Sequence, residues 1–207
     1  DLNFDCSDIG QIFERRIRVK DASGNGKNCK FEVQVFDQLA PTASCFASVD
    51  ADLDGNGDLE ITSAMIDNGS SDNCGPISFE LSATTFDCSN VGSNVIELTV
   101  EDAYGNSSNC SSPLNIMDSS DPIAICQNIT VDLNQDGTYL LDPTELDNGS
   151  YDICSTVSLS ADPMELDCSN YGSEQVILTV TDEEGNMADC ESTVTIGLQY
   201  GYVNGVS

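Results

Sequence analysis

Apolar residues fall on alternate positions in short runs along most of this chain. Val95-Ile96-Glu97-Leu98-Thr99-Val100 and Gln175 to Val180 read at period two. So do Ile77 to Leu81, Ser192 to Ile196 and Phe31 to Phe36. That period puts successive side chains on opposite faces of a sheet, so the runs predict strands with one buried face. Asp-Gly, Asn-Gly and Gly-Asn pairs separate them as turns. No stretch joins a helical period to capping residues, so helices are not expected.

The runs repeat. Phe4-Asp5-Cys6-Ser7-Asp8-Ile9-Gly10 returns as Phe86-Asp87-Cys88-Ser89-Asn90-Val91-Gly92, and again as Leu166-Asp167-Cys168-Ser169-Asn170-Tyr171-Gly172. Asp21-Ala-Ser-Gly24-Asn25 returns at Asp102 to Asn106 and at Asp182 to Asn186. A cysteine trails each copy, at Cys29, Cys110 and Cys190. Asp67-Asn68-Gly69-Ser70 returns as Asp147-Asn148-Gly149-Ser150, each followed by Asp-x-Cys. The steps of 82 and 80 residues between Cys6, Cys88 and Cys168 set a period close to 81. A period of this kind marks an array of supersecondary units. In this register residues 1–39 are the second half of one repeat, 40–119 and 120–197 are complete repeats, and 198–207 are a tail. Seven or so short strands per repeat suit an immunoglobulin-like sandwich. The expected fold class is all-β: tandem, disulfide-stapled immunoglobulin-like β-sandwich repeats.

Composition narrows the function. The chain carries 36 acidic and 6 basic residues, a net charge of −30. Such a surface repels nucleic acid and anionic lipid, and its natural counter-partners are cations. With 39% apolar residues in ordered runs, the charge does not imply disorder. Ten cysteines point to an oxidising compartment, outside the cell or at its surface. None is spaced as Cys-x-x-Cys and there is no histidine, so zinc and histidine-based catalysis are not expected. No apolar run reaches membrane-spanning length. With carboxylates everywhere, no pair stands out as an acid–base dyad, and the chain reads as no enzyme.

The sequence resembles the hyalin-repeat (HYR) family, especially the tandem versions in large bacterial surface proteins. The resemblance rests on Pro-x-x-x-Cys (Pro41 to Cys45, Pro122 to Cys126), on Asp72-Asn73-Cys74-Gly75, and on strands ending in Thr-Val-x-Asp-x-x-Gly-Asn before a cysteine. Repeat three departs from it with Asp152-Ile153-Cys154-Ser155. What the family implies is adhesion or a spacer role, with no catalytic residues to carry over.

Geometry favours one cystine pattern. Cys88 precedes the strand 95–100 and Cys110 opens the next, which places them at opposite ends of a hairpin, about 20 Å apart. A disulfide needs Cα atoms within roughly 7 Å. Parallel first and last strands of a sandwich bring Cys45 to Cys110 and Cys126 to Cys190. The remaining pairs are then Cys74–Cys88 and Cys154–Cys168. This nested pattern leaves Cys6 and Cys29 with partners outside the chain, upstream or in another copy; a Cys6–Cys29 bond is its rival.

Calcium is the expected cofactor, in three places. Asp52-Leu-Asp54-Gly-Asn56-Gly-Asp58 alternates oxygen ligands as an EF-hand-like loop does, but Ser63 stands where its closing Glu belongs, and Glu60 is the substitute. A turn explains that loop equally, and the thinner Asp132-x-Asn134-x-Asp136-Gly137 better. The second place is Asp67 and Asp72 with Asp147 and Asp152; the third is the joint at Asp118 and Asp121. Plain acidic surface is the alternative for both. Asn-x-Ser/Thr sequons stand at Asn68, Asn106, Asn109, Asn128 and Asn148, against about three expected by chance.

The expected role is a rigid tandem-repeat stalk or fibre subunit, structural and adhesive, calcium-stiffened and assembled head to tail. The apolar tail Leu198 to Val203 is a candidate strand to complete the half-repeat of a neighbouring copy. The alternative is a glycan- or protein-binding accessory module of a larger secreted protein.

Overall fold

The structure, a computed structural model, describes residues 3–198. The first half-repeat is a hairpin of β1 (Ile12–Lys20) and β2 (Gly26–Gln34). The second repeat runs β3 (Val49–Asp52), β4 (Asp58–Glu60), α1 (Ser63–Ile66), β5 (Ile77–Leu81), β6 (Thr85–Asp87), β7 (Gly92–Asp102) and β8 (Ser107–Met117). The third runs in the same order: β9 (Ile129–Leu133), β10 (Thr138–Leu140), α2 (Pro143–Leu146), β11 (Ser158–Asp162), β12 (Glu165–Asp167), β13 (Gly172–Thr181) and β14 (Met187–Leu198). Each long hairpin is preceded by a single 3-10 turn that starts on a cysteine: Cys6–Asp8, Cys88–Asn90 and Cys168–Asn170. The tail beyond Leu198, read from the sequence as a linker or a strand, lies outside the described residues.

The third repeat explains the architecture. Its main sheet has the order β11-β13-β14-β9, and a small sheet pairs β10 with β12. Alternate positions of β13 point inward, so Val176, Leu178 and Val180 are fully buried. Val131 and Leu133 of β9, Val194 and Ile196 of β14, and Leu166 of β12 meet them in one core. The two sheets thus form a sandwich, and the fold is all-β as expected. β14 and β9 run parallel, with Val194 opposite Ile129, as first and last strands of such a sandwich can. In the second repeat the sheet order is β3-β8-β7-β5, and Leu98 and Val100 are fully buried.

Two single-turn helices depart from the strand-only expectation. Four residues are too few to show a helical period, yet the capping signal at α2 is complete. Asp142 accepts from the Thr144 amide, Pro143 opens the turn, and Glu145 reaches back to the Asp142 amide at 3.2 Å.

Two compact units divide the chain, and each contains a junction between successive sequence repeats. The first unit comprises residues 1–49, 60–84 and 93–115. The second comprises 50–59, 85–92 and 116–207, of which residues to 198 are described.

Four disulfides join Cys45 to Cys110, Cys126 to Cys190, Cys6 to Cys74 and Cys88 to Cys154. The last two correct the nested pattern: Cys74 does not bond Cys88, Cys154 does not bond Cys168, and Cys6 has its partner within the chain. The register of β11 on β13 gives the reason. Ser158 pairs with Thr181 at the end of β13, so Cys154 lies beyond that end, whereas Cys168 precedes Gly172 at the other. Ten residues of strand separate the two ends by about 33 Å. Each bond instead joins the 3-10 cysteine of one repeat to the Asp-x-Cys loop of the next. Cys29 and Cys168 are free thiols, both exposed.

Candidate metal centre

Three aspartates converge in each unit. Asp37, Asp72 and Asp102 form one group, and Asp118, Asp152 and Asp182 form the other. In each, one carboxylate oxygen per residue lies within 4.8 Å of the others. The two groups are equivalent in the repeat register. Asp37 and Asp118 follow the last strand of one repeat. Asp72 and Asp152 open the Asp-x-Cys loop of the next, and Asp102 and Asp182 begin its Asp-x-x-Gly-Asn turn.

Local folding fixes each carboxylate. Asp102 Oδ1 accepts from the amides of Tyr104 and Asn106 at 2.8 Å each, and its Oδ2 accepts from Asn106 Nδ2 at 2.7 Å. Burial raises the Asp102 pKa, but these hydrogen bonds outweigh it and hold the carboxyl below 3.8. Asp182 repeats the arrangement, with Oδ1 accepting from the amides of Gly185 and Asn186 at 2.6 and 2.7 Å. The Asn side chain also donates backward, Asn106 Nδ2 to the Asp37 carbonyl at 3.3 Å and Asn186 Nδ2 to the Asp118 carbonyl at 3.1 Å. Asp72 Oδ2 accepts from the Cys74 amide at 2.6 Å, and Asp152 Oδ1 from the Cys154 amide at 2.8 Å. The converging aspartate and the inter-repeat staple are thus two residues apart on one loop.

What remains unsatisfied is informative. Asp37 Oδ2, Asp72 Oδ1 and Asp118 Oδ2 are sealed from solvent and accept no hydrogen bond. Asp118 is only 6% exposed, and its other oxygen accepts from the Ser120 amide at 3.0 Å. A buried acceptor without a donor costs on the order of 1–3 kcal/mol, more when charged. Carboxylates about 4 Å apart also repel, by ~4 kcal/mol at an effective dielectric of 20. A bound cation removes both penalties. All donors are hard oxygens, the set that suits calcium rather than a thiophilic metal.

The remaining sequence candidates fall elsewhere. Asp54 Oδ1 turns inward to the amides of Asn56 and Asp58, at 2.8 and 3.0 Å, and closes a turn. Asp52 accepts from Ser119 Oγ at 2.6 Å, and Asp58 and Glu60 are exposed. Asn134 makes the same turn in repeat three, accepting from the amides of Asp136 and Thr138. Asp67 and Asp147 hold the amides of Gly69 and Ser70, and of Gly149 and Ser150. Asp121 is exposed and outside the second group. Asp72, Asp152 and Asp118 are the candidates the structure brings together; Asp37, Asp102 and Asp182 are the ones missed. Their signal was present in the repeat, since all three recur in register. Among the sequons, Asn106 uses its amide in the first group, and Asn128 Oδ1 accepts from the Thr193 amide at 2.8 Å.

No protein-family model matches the chain. No curated protein matches it either. Solved structures of extracellular cadherin domains do. Human Protocadherin-24 EC1-2 is 12% identical, with 78% of this chain and all of that one covered and a TM-score of 0.42. Mouse clustered PcdhgC3 EC1-3 is 11% identical over 90% of this chain and 76% of that one, at 0.36. PcdhgB3 EC1-4 gives 11%, 91% and 0.33, and the chain spans 58% of its length.

Proposed function

We propose that this chain is a stretch of an extracellular, non-enzymatic adhesive or structural fibre, built from HYR-like repeats of about 81 residues and stiffened by calcium between successive repeats. The observation that carries the reading is the unpartnered, buried Asp118 Oδ2 facing Asp152 and Asp182. Its counterpart at Asp37, Asp72 and Asp102 makes the arrangement periodic. In each group one aspartate belongs to the linker after a repeat and two belong to the repeat that follows. A cation held by all three therefore restrains that linker, as a stalk requires. Disulfides support an oxidising, extracellular setting.

Head-to-tail assembly is the second part of the proposal. All six basic residues lie between Arg15 and Lys30, on the β1–β2 hairpin of an otherwise acidic chain. Ile17 and Val19 there are 52% and 58% exposed, whereas the equivalent Leu98 and Val100 are fully buried. A basic sheet with an open apolar face suits the acidic surface of a second copy. Electron microscopy of the native material tests this: isolated chains would count against it.

Calcium added to chelator-treated protein is expected to raise the melting temperature. At a hundred-fold excess over Kd the gain per site is about 2.7 kcal/mol. Asp118→Asn and Asp182→Asn each remove one site's share, while Asp121→Asn leaves the shift intact. A melting temperature indifferent to calcium rejects the metal reading.

A further inference from the structure

The 3-10 turn of the third repeat has the geometry of its two bonded counterparts. In each, the preceding aspartate caps the turn with both halves of a capping box: Asp5, Asp87 and Asp167. Cys6 Sγ lies 3.3 Å from the carbonyl of Asn73, and Cys88 Sγ 3.7 Å from that of Ile153, the residue before the partner cysteine each time. Cys168 stands at the same place with a free, exposed thiol, 3.6 Å from the Gly137 carbonyl.

The glycine beside it separates a filled notch from an open one. Gly57, the counterpart of Gly137 beside Cys88, has φ +79°. A methyl group there would lie 2.6 Å from Cys88 Sγ, 3.0 Å from Ile153 Cγ2 and 3.2 Å from Cys154 Sγ. Gly57 is thus left bare by the incoming Ile153-Cys154 segment. Gly137 has φ +78°, and a methyl there would meet, among the described residues, only Cys168 Sγ, at 3.1 Å. The receiving half of the joint is therefore built at Gly137 and Cys168, with the same backbone and the same cap.

We infer that Gly137 and Cys168 form a receptor for the Asp-x-Cys loop of one further repeat of this kind, docked as Ile153-Cys154 docks on Gly57 and Cys88, and closed by a disulfide. The occupant must bring a free thiol. Both Asp-x-Cys cysteines of this chain, Cys74 and Cys154, are already bonded, so another copy of the chain as it stands does not supply it. Closure oxidises two thiols to one disulfide. A small-molecule disulfide accepts the two electrons and both protons and leaves as two thiols.

Two measurements test this. In the first, the chain is lengthened after Gly197 by a second copy of residues 118–197 and refolded in a mixture of oxidised and reduced glutathione. Peptide mapping without reduction is expected to find Cys168 joined to the added Asp-Ile-Cys cysteine, with loss of alkylation at Cys168 but not at Cys29. Cys168 still alkylated while the added Cys126–Cys190 equivalent has formed, or bonded to a second Cys168, overturns the inference. The second needs no added repeat. A peptide of residues 150–156, activated as its thiopyridyl disulfide, is offered to the intact chain. It should label Cys168 in preference to Cys29, and a scrambled peptide should lose that preference; equal preference from both peptides also overturns it. Neither readout depends on calcium, so failure here leaves the metal reading standing.

Discussion

At the scale of single residues, an aspartate closing a turn responds to acid in a definite direction. Burial raises the Asp147 pKa, but the Ser150 hydroxyl and the amides of Ser150 and Gly149 outweigh it and hold it below 3.8. Asp67, Asp54, Asp87 and Asp167 are lowered in the same way by their own turns. A depressed carboxyl stabilises the fold fully above its unfolded pKa and ceases to do so as pH falls through the folded value. Stability in chelator should therefore decline as the pH falls below about 4. Asp147→Asn should cost about 1 kcal/mol at neutral pH and flatten that decline, as urea melts across pH would show. Tyr139 runs the other way. Its hydroxyl donates to Glu145 Oε1 at 2.7 Å, and with burial and the charges of Glu145 and Asp142 this pushes its pKa up to about 12. Its contribution is complete below the ordinary tyrosine value of 10 and is lost as pH rises through about 12. Absorbance titration should find one tyrosine ionising late, and Tyr139→Phe should remove it. The alternating oxygens of Asp52 to Asp58 look the same in sequence whether they face an ion or their own amides. That ambiguity is why the loop stood as a calcium candidate.

The strands and staples carry most of what the sequence made legible. Period-two runs located β5 to the residue and the centres of β7, β13 and β14. The last three bury alternate positions of one face against a core, whereas β5 is only half-buried at its ends and Phe79 is exposed. The three-residue strands β4, β6, β10 and β12 are too short to show any period. The cystine pattern was half legible. Parallel pairing of β9 with β14 follows from the sandwich itself, and Cys126–Cys190 accompanies it. Cys45–Cys110 is its counterpart in the second repeat, whereas Cys6–Cys74 and Cys88–Cys154 join different repeats, and no argument confined to one repeat can find them. Cys126→Ser should cost about 4 kcal/mol by the chain-entropy estimate for the 64-residue separation of Cys126–Cys190. Denaturant unfolding of the variant against the parent checks that figure. Cys154→Ser leaves each sandwich core intact and frees a junction, so limited proteolysis is expected to begin near Ser119-Ser120, where the parent resists.

For the molecule as a whole, a net charge of −30 opposes compactness. Added sodium chloride should raise the melting temperature in chelator, and raise it less once calcium is bound. The disulfides also change what happens under tension. Cys6–Cys74 opens before Cys45–Cys110, which opens before Cys88–Cys154 and Cys126–Cys190, and every loop begins before its predecessor closes. A pull along the chain therefore passes from Cys6 directly to Cys74, along the short segment to Cys88, and directly on to Cys154. The residues between the first pair, 68 apart in sequence, and between the second, 66 apart, carry no load and cannot be drawn out. Each would otherwise yield on the order of 230 Å of slack. A tether of such repeats stays short even when its sandwiches unravel, and reductant turns it into a long one.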